Sequence, residues 1–234
     1  MTVKFKNYKT LFIGCFLLFI IFSCKEEKKG DTIDEGYIKY NIEYKGDSLD
    51  KFIATFLPKT MVLKFKDNCT KNQLKGMSGI FNFTHIKNYK DKTNSSLIKI
   101  MEKRYKYIEK INDSSLFFRD RPDIQVTYTN DTKNIAGYDC EKINITIPHE
   151  KGNLENFDIY YTDKIDIKGF NDHTPFRSVN GVLLEFQLEF YGIPLKFKAT
   201  EVIESSIPSK EFEIPKGYRQ INKKTMKEII SLLK

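Results

Sequence analysis

Leu184-Glu185-Phe186-Gln187-Leu188-Glu189-Phe190 alternates apolar and polar residues without a break, and Tyr191-Gly192-Ile193-Pro194 separates it from a second alternating run, Leu195 to Val202. A period of two sends successive side chains to opposite faces, so each run predicts a strand buried on one side, and the glycine- and proline-bearing link predicts a hairpin. The same period recurs upstream. Ile38, Tyr40, Ile42 and Tyr44 alternate with Lys39, Asn41 and Glu43, and Met61, Leu63 and Phe65 sit opposite Lys64 and Lys66. Further strands are expected over residues 73–77, 97–101, 105–111, 124–129, 140–147 and 157–162, with turns at Gly36, Gly46, Ala136-Gly137, Lys151-Gly152-Asn153 and Asn180-Gly181.

Two segments keep helical spacing instead. Leu49, Phe52, Ile53, Phe56 and Leu57 recur at three- and four-residue intervals, with Asp47 or Ser48 as N-cap and Pro58 as the stop. Met226, Ile229, Ile230 and Leu233 repeat the pattern near the C-terminus. The reading is a mainly β protein with two helices (α+β), in which roughly ten antiparallel strands share one sheet. So many twisted strands curl or split into layers, and a curled sheet with helices on its concave side is a half-barrel. Its candidate cavity-lining residues are Tyr40, Phe52, Phe56, Leu63, Phe65, Leu184, Phe186, Leu188 and Phe197.

The N-terminus reads as an address. Lys4, Lys6 and Lys9 precede an unbroken apolar run, Leu11 to Phe22, which are the n-region and h-region of a secretory signal. As a helix, Leu11 to Cys24 spans about 21 Å, short of the ~30 Å hydrocarbon core that a membrane-spanning helix must cross. Ile21-Phe22-Ser23-Cys24 resembles the lipobox of bacterial lipoproteins, which implies cleavage before Cys24 and a diacylglyceryl and an N-acyl chain on that residue; Cys15 lacks a full apolar run ahead of it. More than one acyl chain gives stable anchoring. The expected organisation is therefore a signal peptide (1–23), a polar tether (24–35) and one β domain (36–234), in a protein anchored by lipid to the outer membrane. Lys25-Glu26-Glu27 also resembles a surface-export signal, although any solvated tether is charged, so the periplasmic and surface-exposed sides both stay open.

Few chemistries survive inspection. The formal charge of +8 includes the three signal lysines, and the rest alternates with acids rather than forming the basic stripe that nucleic acid requires. Cys69 and Cys140 are left for a possible disulfide in an oxidising compartment, and two buried free thiols fit the sequence equally well. His85, His149 and His173 stand far apart in sequence with no metal-ligand spacing, and Gly76-Met77-Ser78-Gly79 only half matches a nucleophile elbow. No enzyme, metal or cofactor is expected beyond the covalent lipid on Cys24.

Five segments carry a resemblance: Ile135-Ala136-Gly137-Tyr138-Asp139-Cys140-Glu141-Lys142, Tyr160-Tyr161-Thr162-Asp163, Gly181-Val182-Leu183-Leu184-Glu185, Ala199-Thr200 and Phe212-Glu213-Ile214-Pro215-Lys216-Gly217-Tyr218. In that order they resemble a domain-of-unknown-function family of exported bacterial lipoproteins, itself similar to the LolA/LolB lipoprotein carriers. The resemblance implies a curved antiparallel half-barrel whose concave face, closed by helices, holds acyl chains; it assigns no functional residue here. The expected function is binding of an acyl chain or another apolar ligand, the alternative being a structural or interaction lipoprotein with a filled core. Replacing Cys24 with Ser is expected to abolish palmitate incorporation in growing cells and to release the protein from the membrane fraction, whereas Cys15→Ser leaves both unchanged.

Overall fold

The computed structural model of the protein describes residues 32–45, 55–113, 124–148, 154–190 and 193–231. Cys24, the signal, most of the tether and Phe52, with most of the helix expected at 49–57, lie outside them. Thr32–Lys234 form one compact unit. It is mainly β: β1 (Glu35–Tyr44), β2 (Thr60–Lys66), β3 (Cys69–Lys75), β4 (Phe81–Asn88), β5 (Thr93–Ile100), β6 (Lys103–Lys110), β7 (Gln125–Ile135), β8 (Tyr138–Pro148), β9 (Leu154–Thr162), β10 (Val182–Phe190), β11 (Ile193–Glu204) and β12 (Arg219–Gln220), followed by the helix α1 (Lys223–Ser231). Among the described residues no helix is long and apolar enough to cross a membrane.

All twelve strands belong to one sheet, in the order β12-β6-β5-β4-β3-β2-β1-β11-β10-β9-β8-β7. It consists of two meanders, β1 to β6 and β7 to β11, joined where β1 pairs antiparallel with β11; only β12 runs parallel to its neighbour, β6. Phe190 pairs with Ile193, so β10 and β11 form the hairpin expected from the opening stretch. Ala136 and Gly137 both have positive φ, the conformation a two-residue hairpin link demands, and they join β7 to β8 with Ile135 opposite Tyr138. In β1, a side chain at Gly36 would overlap the carbonyl oxygen of Ile203, so β11 can lie this close only to a glycine.

The structure departs from the expectation in β3 and β4. β3 begins at Cys69 instead of residue 73, and β4 was not expected at all. Their alternation is masked because both faces are covered. Ile86 and Leu97 pack with Cys69, Ile207 and Phe212 on one face, under a 3-10 turn at Ser209–Phe212, while the other face mixes polar with apolar residues. Of the two expected helices, α1 is present, and at the first only Thr55 and Phe56 are described as helical.

The main cluster of buried side chains runs from β1 and β2 through β11 and β10 to β9 and β8, and includes Ile38, Tyr40, Leu63, Phe65, Ile143, Ile159 and Phe186. The Tyr40 hydroxyl donates to the Leu183 carbonyl at 2.9 Å, which satisfies a phenol that is otherwise wholly buried. At the other wing, Met226 and Ile230 of α1 seat on Phe83, Ile98 and Ile221. Because Met226 is fully buried, Met226→Ala is expected to cost about 2–5 kcal/mol through lost contacts and a residual void. A lowered urea midpoint would register it, with faster amide exchange concentrated in α1 and β6.

Candidate functional site

The registers of β3 to β6 set side chains of one face in ladders that cross four strands. Thr70, Lys87, Asn94 and Glu109 are direct neighbours in one row; Asn72, His85, Ser96 and Tyr107 form the next; Leu74, Phe83, Ile98 and Tyr105 the third. Moving two residues at a time along the strands, the face changes from polar and ionisable to apolar within about 13 Å. The first row is buried throughout, with Lys87 at 6% and Asn94 at 2% exposure.

Thr70, Lys87, Asn94 and Glu109 of the first row, with Asn72, His85, Leu74 and Phe83 of the next two, form one side of a cavity of about 220 Å³. The other side is Phe186 and Leu188 of β10, Ile193, Leu195 and Phe197 of β11, and Tyr44, Leu57, Pro58 and Met61 at one end. The Phe186 and Phe197 rings stack at 4.9 Å between centroids, giving that wall a flat aromatic panel. The segment between β9 and β10 completes the polar end with Phe170, Asn171, His173 and Thr174. That segment is tied down. Lys87 Nζ donates to the Gly169 carbonyl at 2.6 Å and faces Asp172 Oδ2 at 3.4 Å, and the Lys168 amide donates to Asn68 Oδ1 at 2.9 Å. Asn171 Nδ2 donates to the carbonyls of Val179, at 2.8 Å, and Gly181, at 2.9 Å.

Phe186, Leu188 and Phe197, expected as lining residues, do line this cavity. Tyr40, Leu63, Phe65 and Leu184 are placed in the main core instead, and Phe56 is 37% exposed outside the cavity wall. Alternation marks an inward apolar side chain but does not separate lining from core, and these four pack the sheet to itself. Cys69 and Cys140 are both free and buried, in separate clusters, so no disulfide joins them. Cys140 is poorly reactive, because burial pushes its thiol up to about 11.

The polar end was missed. His85 and His173 are 88 positions apart yet line one cavity, with His85 Nδ1 3.3 Å from Ser96 Oγ and His173 Nε2 3.4 Å from Asn94 Nδ2. The available signal was Thr84-His85-Ile86-Lys87, a stretch whose His85 and Lys87 share the inner face while Thr84 and Ile86 share the other. Among the described residues no group of His, Cys, Asp and Glu is placed to hold a metal ion.

Burial lowers the His85 pKa to about 4, with repulsion from His173 and Lys87 adding to it, and burial with the Lys87 charge lowers that of His173 as well. Both rings are therefore neutral in the folded protein at neutral pH. A histidine with a depressed folded-state pKa binds fewer protons folded than unfolded, so its contribution is complete above about 6.5 and is lost as pH falls toward 4. Stability is expected to fall across that window by up to about 1.4 kcal/mol per pH unit on account of His85. Chemical denaturation at pH 7, 6 and 5 should show this slope, and His85→Gln should flatten it.

No family model matches the chain, and no curated protein matches it. Among solved structures, that of PNGF-II is similar over 86% of this chain and 34% of its own, with 13% sequence identity and a TM-score of 0.46, so the chain spans about a third of that protein's length.

Proposed function

We propose that this protein is a lipid-anchored envelope lipoprotein whose domain is a curled half-barrel that binds an apolar ligand in the cavity between its two meanders. The observation that carries the reading is the cavity itself, with apolar walls from both meanders and a polar end. Support for the curl is that Glu109 of β6 and Leu183 of β10 line one space although six strands lie between theirs in the sheet order, more than 30 Å across a flat sheet at about 4.8 Å per strand. An open sheet of twelve strands is also beyond the size that stays flat. α1 packs on the Phe83 and Ile98 side, the face that the cavity occupies, in keeping with the resemblance to lipoprotein carriers. The filled-core alternative predicts no such space.

The volume limits the occupant. At about 30 Å³ per methylene- or water-sized group, 220 Å³ accepts roughly seven groups, not a whole long acyl chain. Burying about 150 Å² of such a ligand yields roughly 4 kcal/mol, so a six-carbon chain alone should bind in the millimolar range.

The test is displacement of an uncharged environment-sensitive fluorescent alkyl probe from the domain by short alkyl compounds, with native mass spectrometry of the same preparation for co-purified lipid. Leu188→Trp, which adds bulk to the wall, is expected to weaken probe binding at least tenfold while circular dichroism stays unchanged. A domain at bare mass that neither takes up nor releases the probe sinks the proposal.

A further inference from the structure

We propose that the polar end of the cavity is a hydroxyl-binding subsite, built for an uncharged head group that donates hydrogen bonds, such as the hydroxyl of a short-chain alcohol, and not for a carboxylate. This rests on the reading of the cavity as a site for an apolar chain, and it specifies what that chain is attached to.

Asn171 carries the inference. It is 3% exposed and lines the cavity, and both hydrogens of its Nδ2 are donated, to the carbonyls of Val179 and Gly181. That pair of bonds fixes which way round the amide lies. The edge left over is Oδ1, a buried carbonyl oxygen with no hydrogen-bond partner. An unmet buried acceptor is costly, and a donor brought by a ligand would recover that cost. Asn94, 2% exposed and in the same cavity, likewise has an unpartnered Oδ1.

Charge excludes the obvious alternatives. The one cation of the first row, Lys87, is already engaged by the Gly169 carbonyl and by Asp172, whose carboxylate offsets its charge toward a ligand carboxylate. Glu109 stands in that row and would repel an anion. Lys87 itself, with Lys223 3.9 Å from Glu109, would repel an ammonium head group. A neutral donor meets acceptors and no like charge.

The experiment compares isosteric ligands on the domain, residues 30 to 234, which contains the whole compact unit and its three clusters. Hexan-1-ol and 1-methoxypentane are isomers that differ in having or lacking a donor, and hexanoate supplies the anion. Dissociation constants come from NMR shift titration at millimolar ligand. Hexan-1-ol is expected to bind about tenfold more tightly than either competitor, and Asn171→Ala to level the alcohol and the ether. Equal affinities for the isomers in the wild-type domain, or tightest binding by hexanoate, would overturn the subsite while leaving the apolar cavity intact. If none of the three binds, both readings fail. The wild-type series decides even where Asn171→Ala loosens the loop that its amide holds.

Discussion

The pairing of β1 with β11 is the contact on which the rest depends. It joins the two meanders into one sheet, and it brings together residues such as Tyr44 and Leu195 that are separated by most of the domain. Loop-closure entropy rises only slowly with the length enclosed, so a long-range pairing is affordable when it buries enough apolar surface. Here it does. Ile38, Tyr40 and Ile42 on β1 and Leu195, Phe197 and Ala199 on β11 are all buried. Without that joint, the aromatic panel of β10 and β11 and the polar rows of β3 to β6 would have no reason to face the same space.

The cavity is defined by a conflict between burial and polarity that the sheet resolves by register. Lys87 and His85 lie on an inward face, where an isolated charge is costly. The Lys87 ammonium is met by the Gly169 carbonyl and Asp172 of the segment between β9 and β10, and the histidines avoid the cost by staying neutral. The polar end is thus at the same time the clasp that fixes the cavity's third wall. That gives a plain structural reason for Lys87, and it leaves the Asn171 carbonyl as the group that packing does not explain.

The fold was largely legible where one face of a strand meets solvent. β1, β2, β10 and β11 alternate cleanly because Lys39, Glu43, Lys64 and Gln187 face outward, and α1 was readable from Met226, Ile229 and Ile230. β4 was not, because Ile86 is covered on the outer face while His85 and Lys87 point inward, which inverts the rule that inward means apolar. The same inversion hid the site. Phe186, Leu188 and Phe197 were found because an apolar lining looks like any other inward face, but nothing local distinguishes them from Tyr40 or Phe65, which merely pack. The meeting of His85 with His173 depends on a segment without regular structure folding back over the sheet, and no periodicity encodes that.

A cavity whose polar end is clamped and whose apolar end lies near Leu57 and Pro58 has a direction. The clamped end is preorganised: Asn171 and Lys87 are held by backbone carbonyls before any ligand arrives, so a head group meeting them orders little and keeps most of its hydrogen-bond energy. The apolar walls discriminate little between chains of similar width, since each extra methylene is worth under about 1 kcal/mol wherever it is buried. On the proposed reading, selectivity therefore belongs to the head group, with the chain supplying most of the affinity. On that reading, such a site favours compounds that present a small neutral head to the clamped end and lay their chain toward Leu57 and Pro58.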